Sequence, residues 1–324
     1  MNINKLAEKL IKRKGYINNG RLKKGKKWLA AHFNTDIETI IKVVEIIRDS
    51  YTEKHSNIAV AEIVSRPVKD VKISADKPKT YWVTGCMHMP FHNKKQLAST
   101  LRYLKTIDLD GIILAGDCLD INSLSFHDKG KTPIEGVTLS WEYEESLKAM
   151  RPIRALIKEK GITSDNLHFM YGNHEDRYLR TLRQIDHSKY GKALVSPEEG
   201  LKLAEESWNI YYDFKRDTIT LGDLLINHGE YLNQHVAKKT IEVYKQSSLF
   251  FHTHRFQVYA DGPFIGYNMG FAGDINSQVF SYAPRGWKQA WTNASALVTV
   301  INDKAYVQPL MFINNKLVVN GKEY

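Results

Sequence analysis

Five short polar blocks, each at the end of an apolar run, constrain this chain more than any other feature. In chain order they are TGCMH (84–88), GDCLD (116–120), GNHE (172–175), NHG (227–229) and FHTH (251–254). Carboxylate, amide and imidazole groups are the ligands that hard and borderline divalent metals take from proteins. Open α/β sheets gather their sites at the carboxyl ends of strands. The blocks therefore predict a two-metal hydrolytic site.

The apolar runs alternate with helical patterns, which indicates the α/β class. The runs TYWVTG, GIILAG and LHFMYG predict strands, and the chain ends in a strand-rich segment. Helices are predicted over 95–107, 141–159, 176–185, from Ser196 to about residue 207, and over 234–245. Ser196 and Glu199 form a capping box that fixes one helix start.

The N-terminal segment predicts a separate small domain. Residues 1–54 show helix, basic loop, short helix, turn and a further helix that Thr35 and Glu38 cap, a helix-turn-helix pattern. Residues 55–78 lose periodicity and contain Pro67 and Pro78, which predicts a linker with room for one short strand at AVAEIV (59–64). We therefore expect a basic, all-α helix-turn-helix-like domain over 1–54 and a catalytic domain over 79–324.

The net charge of +10 is concentrated at the N-terminus, because residues 1–55 hold 13 lysines and arginines against 6 aspartates and glutamates. Such a segment attracts polyanions, so DNA is the first partner to consider. The residues expected to contact it are Arg21, Lys23, Lys24, Lys26 and Lys27. Docking onto a partner protein and a merely solvated face stay open as alternatives.

Membrane insertion and export are not expected. No apolar run reaches the roughly 18 residues that a spanning helix needs. The start, MNINKLAEKLIKRKG, turns basic where a secretory signal needs its apolar segment. The two cysteines, Cys86 and Cys118, lie inside the blocks instead of forming a disulfide framework. We expect a cytoplasmic protein.

The order and spacing of the blocks over residues of about 80 to 260 resemble the calcineurin-like metallophosphoesterase family. The resemblance implies a β-sandwich flanked by helices, in four layers α/β/β/α, with a bridging water that ionises to hydroxide near neutral pH. It implies one metal held by Cys86, His88, Asp117 and His254. It implies a second metal held by Asp117, Asn173, His228 and His252.

The resemblance also gives roles to the remaining polar residues. Asp117 bridges the metals and His174 is the acid near the leaving group, while Asp120 orients a ligating histidine. Arg177 contacts a phosphate oxygen or forms an ion pair at a helix N-terminus; the sequence leaves both open.

Two residues depart from the family pattern. Cys86 stands where the family has aspartate, and Phe251 stands where it has glycine before the histidine. A thiolate is a softer ligand than a carboxylate, so Cys86 favours zinc or iron, with manganese as a further candidate. Phe251 is expected to change only the packing behind its loop.

The substrate is less constrained. Family protein phosphatases carry Arg-Gly after the second block, where this chain has Ile121 and Asn122. Together with the basic N-terminus, this favours a phosphodiesterase or nuclease acting on DNA, and the blocks also resemble bacteriophage-encoded members of the family. A phosphomonoesterase on protein or small molecules, and a DNA-binding or structural protein whose site has decayed through Cys86, stay open. Trp287 and Trp291, near Arg285 and Lys288, either pack in the core or stack on bases.

Overall fold

The computed structural model describes residues 67–125, 137–184 and 194–324, together with residues 17–18, 21–22, 38, 40 and 43. The chain divides into two compact units, Met1–Arg66 with Leu182–Leu194 and Pro67–Thr181 with Val195–Tyr324. The larger unit carries both sheets that matter for the site.

The strands of the described residues are β1 (Ile17–Asn18), β2 (Arg21–Leu22), β3 (Asp70–Ile73), β4 (Lys79–Thr84), β5 (Gly111–Ala115), β6 (Leu167–Met170), β7 (Asn209–Tyr211), β8 (Thr218–Leu221), β9 (Leu224–Ile226), β10 (Ser248–Phe250), β11 (Phe256–Asp261), β12 (Phe264–Met269), β13 (Ala294–Ile301), β14 (Lys304–Ile313), β15 (Lys316–Val319) and β16 (Lys322–Glu323). The helices are α1 (Lys94–Leu104), α2 (Leu139–Lys160), α3 (Asp176–Gln184), α4 (Pro197–Gly200), α5 (Val236–Tyr244) and α6 (Arg285–Gln289).

Two mixed sheets form the larger unit. One has six strands in the order β11-β12-β10-β9-β8-β3, and the other has eight in the order β16-β15-β14-β13-β4-β5-β6-β7. Strands β4 to β7 are mutually parallel, as are β9, β10 and β12. This confirms the predicted α/β class with two sheets and helices.

The core lies between the two sheets. Alternate residues such as Ile113 and Ala115 of β5 join Ile226 of β9 and Leu249 of β10 in one buried cluster. Because side chains alternate across a strand, Ile112 and Leu114 of β5 point to the opposite face, and they too are fully buried. Burial on both faces explains why these parallel strands are continuous apolar runs in the sequence.

Helices cover the outer faces. Helix α1 contacts α2 and β15, while α5 packs on β11 and β12 of the other sheet. Asn93 caps α1 by accepting the backbone N–H of Gln96, and Thr138 caps α2 through the N–H of Trp141. Helix α2 ends where Gly161 adopts the left-handed conformation. The helix predictions for 95–107, 141–159, 176–185 and 234–245 are confirmed.

The helix predicted from Ser196 to about residue 207 is wrong beyond its first turn. The capping box between Ser196 and Glu199 is present, but α4 ends at Gly200. Lys202 adopts a positive φ of 54°, and a short 3-10 turn, Leu203–Glu205, follows. Gly200 favours a helix weakly and the left-handed Lys202 cannot continue it, so the helix ends despite its capped start.

Part of the predicted linker is a strand. Val71 and Ile73 of β3 pack against the core between the sheets, and β3 pairs in parallel with β8. Its sequence DVKI is half polar because β3 is an edge strand with one face exposed. This corrects the linker prediction for residues 70–73.

The predicted helix-turn-helix unit over 1–54 lies almost entirely outside the described residues. Within its predicted basic loop, β1 and β2 pair antiparallel, with Ile17 opposite Leu22. Residues 38, 40 and 43 are helical, and Ile40 and Val43 are fully buried. Of the residues expected to contact DNA, Lys23, Lys24, Lys26 and Lys27 are outside the described part, and Arg21 lies in β2.

Candidate metal centre

The five polar blocks follow strands whose carboxyl ends converge. The first three follow the parallel strands β4, β5 and β6 of the eight-stranded sheet, and the last two follow β9 and β10 of the other sheet. The two sheet edges face each other, so residues from 86 to 254 meet at one place. This is the location expected for ligands in an α/β sheet.

Backbone hydrogen bonds hold the first two blocks together. The N–H of Cys86 donates to the carbonyl of Gly116 at 2.9 Å, and the N–H of His88 donates to that of Asp117 at 2.9 Å. Cys86, His88 and Asp117 all have positive φ, between 45° and 51°. Such values strain an ordinary residue by about 1 to 3 kcal/mol, and strain of this kind clusters at functional sites.

Two glycines make the close approach possible. A Cβ on Gly172 would lie 2.1 Å from Oδ1 of Asp117, and one on Gly116 would lie 2.4 Å from Nδ1 of His228. Gly116 also has a φ of +85°, which disfavours residues with a side chain. The glycines of GDCLD and GNHE are therefore spatial requirements of the site.

A first group of donors combines the first and last blocks. Nε2 of His88 lies 3.0 Å from Nε2 of His254, and the Sγ of Cys86 completes a group whose ligand atoms all lie within 4.8 Å. Nδ1 of His88 bonds a carboxylate oxygen of Asp120 at 2.9 Å, which assigns the proton to Nδ1 and leaves a lone pair on Nε2. Two imidazole nitrogens then face one point with sulfur beside them.

A second group combines the second, third and fourth blocks. Nδ1–H of His228 donates to the carbonyl of Ala115 at 3.1 Å. Its Nε2 lies 3.2 Å from Oδ2 of Asp117 and 3.2 Å from Oδ1 of Asn173. Burial alone would lower the pKa of His228, but Asp117 raises it above its usual value, so without a metal a proton on Nε2 is stabilised. A divalent cation would take the place of that proton among the three donor atoms. Cys86 lies within 4.8 Å of Asp117 and His228, so it is close to both groups.

The protonation states suit metal ligands. Burial lowers the pKa of His88, His252 and His254, that of His252 to about 4, so these imidazoles are neutral near pH 7 and keep a lone pair. Burial alone would raise the pKa of Asp117, but His228 and His174 hold it well below its usual range. The site therefore combines three neutral imidazoles with an ionised carboxylate and with His228, whose proton a metal would displace, a donor set that fits divalent metal.

Cys86 is fully buried, and its Sγ accepts the backbone N–H of His252 at 3.2 Å. Burial and the charge of Asp117 raise the pKa of the thiol. A neighbouring cation acts in the opposite direction, because a coordinating thiol loses its proton.

Asp120 lies between two histidines. Its Oδ1 is 2.9 Å from Nδ1 of His88 and 3.2 Å from Nδ1 of His174. Both interactions lower its pKa against the effect of burial, so it is an ionised group that fixes ring orientation. Among the described residues, its Oδ2 is buried without a hydrogen-bond partner.

His174 and Arg177 form a linked pair beside Asp117. The backbone N–H of His174 donates to Oδ1 of Asp117 at 2.8 Å. Its Nδ1 bonds the carbonyl of Asp120 at 2.8 Å, while Nε2 is 3.1 Å from the guanidinium of Arg177. Arg177 also donates to the carbonyl of Asp120 at 2.9 Å. In this arrangement Nε2 accepts, so proton donation by His174 requires Arg177 to release it.

Glu175 is the functional residue that the sequence reasoning left without a role. Its carboxylate accepts the backbone N–H groups of Asp117, Leu119 and Gly172 at 2.8 to 3.0 Å. It is fully buried and links the second block to the third. The sequence feature that pointed to a role for Glu175 is its position directly after His174, inside a block expected to be buried.

Phe251 shows how the chain accommodates its departure from the family's glycine. The ring is fully buried in the core between the sheets. Two of its ring atoms lie 2.8 Å from the position that a Cβ on Gly85 would occupy. Phe251 therefore depends on glycine at position 85 of the first block.

A model of the calcineurin-like phosphoesterase family matches residues 79–269, more than half of the chain. The chain belongs to this family. This phosphoesterase is therefore a hydrolase of phosphoric esters, and the predicted family assignment is confirmed. The site residues lie within the matched segment, and their grouped side chains could hold the divalent metals that the family uses.

Several solved structures are similar to the phosphoesterase. Vacuolar protein sorting 29 from Cryptosporidium parvum is 11% identical with a TM-score of 0.39, covering 77% of this chain and 96% of that one. A conserved uncharacterised protein of Streptococcus pneumoniae, described as a predicted phosphoesterase, is 15% identical with a TM-score of 0.33, covering 77% and 99%. Zinc-complexed Vps29 of Entamoeba histolytica is 13% identical with a TM-score of 0.35, covering 76% and 96%. No curated protein matches the sequence.

In the described part of the chain, no helix combines the length and apolar character needed to span a membrane.

Proposed function

We propose that this protein is a two-metal phosphodiesterase that acts on DNA in the cytoplasm. The observation that carries the proposal is the pair of converging donor groups, Cys86 with His88 and His254, and His228 with Asp117 and Asn173, with Cys86 close to both. We assign Asp117 as the ligand shared by both metals. The first metal then takes Cys86, His88, Asp117 and His254, and the second takes Asp117, Asn173, His228 and His252. Neutral imidazoles and an ionised carboxylate with lone pairs directed at common points favour two divalent cations over one.

Bound divalent cations supply Lewis acidity at the phosphoryl group and a nucleophile at neutral pH. The protein's own residues orient and complete the reaction. Asn173 contributes a neutral oxygen, which limits the negative charge that a phosphodiester meets. Once Arg177 has moved to the phosphate, Nε2 of His174 is free to take a proton from solvent. The imidazolium then gives that proton to the departing oxygen and returns to its neutral form.

The sulfur of Cys86 supports zinc or iron in the centre, with manganese third. Thiolate is a softer ligand than the carboxylate it replaces. Metal analysis of protein purified without added metal checks this. Zinc or iron near two equivalents supports the proposal, whereas one equivalent or none, with no gain on adding zinc or manganese, contradicts it.

Position 121 supports a diester over a phosphoprotein substrate. Ile121 is fully buried with a φ of 49°, and the N–H of Asn122 donates to Glu142. No guanidinium is therefore available at these two positions to clamp a terminal phosphate. Hydrolysis of bis(p-nitrophenyl) phosphate is expected to exceed that of p-nitrophenyl phosphate, and the reverse order would favour the phosphomonoesterase.

The basic residues at the N-terminus support DNA as the substrate. Replacing Lys23, Lys24, Lys26 and Lys27 by Gln in the full chain removes four positive charges. DNA affinity is expected to fall and to depend less steeply on salt, while hydrolysis of bis(p-nitrophenyl) phosphate is unchanged. Unaltered DNA affinity would show that this segment has another role, such as docking a protein.

Two substitutions separate an enzyme from a decayed site. Asp117→Asn and His174→Ala are expected to abolish or strongly reduce cleavage of DNA while DNA binding persists. If the wild-type protein binds DNA and cleaves neither DNA nor either reporter with any of zinc, iron or manganese, the protein is a binding protein with a decayed site.

The cysteines support a reducing compartment. Cys86 and Cys118 are both buried and unpaired. A disulfide between them would remove the sulfur of Cys86 from the metal centre, so activity is expected to require reduced protein.

A further inference from the structure

A pocket of about 240 Å³ opens beside the metal centre. Its catalytic side is formed by Asp117, Asn173, His174, His252 and His254. Its other side is formed by residues to which the proposed mechanism assigns no role: Leu232, Thr253, Arg255, Tyr282, Trp287 and Trp291. This half of the pocket adjoins the candidate metal ligands, and we call it the aromatic rim.

The two tryptophans of the aromatic rim have different surroundings. Trp291 packs edge-on to His254 at 4.5 Å and to Phe271 at 5.3 Å between ring centroids, so it supports a proposed ligand. Trp287, in the short helix α6, is 56% exposed, and Tyr282 is 49% exposed. An exposed tryptophan and an exposed tyrosine at the mouth of a polar pocket offer ring faces to a ligand.

One cation, Arg255, lines the pocket together with these rings. Arg285 and Lys288 stand within two residues of Trp287 in the sequence of α6. Within the described residues, no carboxylate forms an ion pair or hydrogen bond with any of these three side chains. A cation beside exposed aromatic rings is a combination by which proteins bind single-stranded nucleic acid, with the rings stacking on bases and the cation contacting a phosphate.

We propose that the aromatic rim binds one unpaired nucleobase next to the scissile phosphate, stacked on Trp287. The substrate is therefore a single strand or a frayed or flipped-out end, and not an intact duplex. In a duplex both faces of each base are covered by its neighbours, so Trp287 has no face to stack on. This inference rests on the proposed phosphodiesterase function and names its substrate class.

The size of the pocket agrees with a single base. Pockets that enclose drug-sized ligands measure about 300 to 1,000 Å³. At about 240 Å³ this pocket has room for one ring system.

The test compares cleavage of one oligonucleotide as a single strand and in a duplex, with bis(p-nitrophenyl) phosphate turnover of the wild-type protein as the check on the proposed function. Wild-type kcat/KM is expected to be at least about tenfold higher for the single strand. Trp287→Ala is expected to lower it about 5- to 150-fold, the range for loss of one base–aromatic stack, and mainly through KM. Trp287→Phe is expected to keep most of the activity.

A matched control is Trp141→Ala. Trp141 is 37% exposed in α2, packs on Phe91 at 6.1 Å and does not line the pocket. Its substitution is expected to leave cleavage unchanged. Metal content equal to that of the wild-type protein shows that the Trp287→Ala site is intact.

An abasic nucleotide beside the scissile phosphate makes the test specific to stacking. It is expected to slow the wild-type protein as much as Trp287→Ala does, and to have little further effect on that variant. Equal cleavage of single strand and duplex, or wild-type kcat/KM in Trp287→Ala, overturns the inference while leaving the phosphodiesterase proposal standing. If the wild-type protein hydrolyses no phosphodiester at all, both the substrate-class inference and the phosphodiesterase proposal are overturned.

Discussion

Phe251 and Gly85 form a coupled pair whose energetics follow from the geometry. The Phe251 ring is fully buried, and a Cβ at position 85 would lie 2.8 Å from two ring atoms. Contacts under 3.0 Å are essentially never found for real Cβ atoms. Gly85→Ala in the wild-type protein therefore forces the ring to move, at an expected cost of about 1 to 3 kcal/mol in the free energy of unfolding.

The same substitution is expected to behave differently once the ring is removed. Phe251→Ala alone costs about 3 to 5 kcal/mol, because a buried phenyl ring is lost. In that background the two contacts with the ring are gone, and the carbonyl oxygen of Ala115 lies 3.0 Å from the new Cβ. Its cost then falls below about 1 kcal/mol, helped by the lower entropy of the unfolded chain. The coupling energy is therefore about 1 to 2 kcal/mol.

Urea unfolding of the four proteins measures this coupling. Gly286→Ala is the control, because nothing lies within 4 Å of a Cβ at that position and φ is not in the left-handed region. It is expected to cause no loss of stability and to raise it by at most about 1 kcal/mol, because Gly286 lies in helix α6. If Gly85→Ala costs the same with and without the Phe251 ring, the two positions are independent and the steric reasoning is wrong.

Three further predictions concern the site. Asp120→Asn is expected to weaken metal affinity and phosphodiesterase activity about 10- to 100-fold, because this carboxylate orients His88 and His174. Metal titration followed by reporter hydrolysis measures both effects, and a variant with wild-type metal affinity would contradict the prediction. Cys86→Asp supplies a hard oxygen ligand and is expected to shift the preferred metal from zinc or iron towards manganese. Activity measured across a metal series tests this. If the metals rank in the same order of activity as in the wild-type protein, Cys86 does not select the metal. Glu142 is buried, and burial raises its pKa from 4.5 to about 7. The stability that it confers on the fold is therefore present at low pH and is lost as pH rises through 7. In urea unfolding, the advantage of the wild-type protein over Glu142→Gln is expected to shrink by about 2.5 kcal/mol between pH 5 and pH 8, and an equal difference at both pH values would refute this.

Much of the fold was predictable because its central strands are buried on both faces. TYWVTG, GIILAG and LHFMYG are continuous apolar runs, and each is a parallel strand ending in a polar block. Strands such as β8 and β11 alternate or are half exposed and are only four to six residues long, so their signals are weak. Edge strand β3 was assigned to a linker for the same reason.

The sequence predicted candidate ligands that the structure brings together, but not the groups that hold them in place. The types and order of the block residues are visible in the sequence. The positive φ of Cys86 and Asp117 is not, because it comes from backbone pairing between two distant loops. Glu175 acts on backbone N–H groups, which leave no pattern in the sequence. The link between Arg177 and Nε2 of His174 depends on how α3 leaves the third block.

The central claim is that two divalent cations share Asp117 in a phosphodiesterase site. The most direct measurement is bis(p-nitrophenyl) phosphate hydrolysis by metal-free protein as zinc is added stepwise. Activity is expected to rise to a maximum at two equivalents per chain and to be absent in Asp117→Asn at every ratio. Full activity at one equivalent, or no turnover at any ratio with zinc, iron or manganese, would contradict the claim.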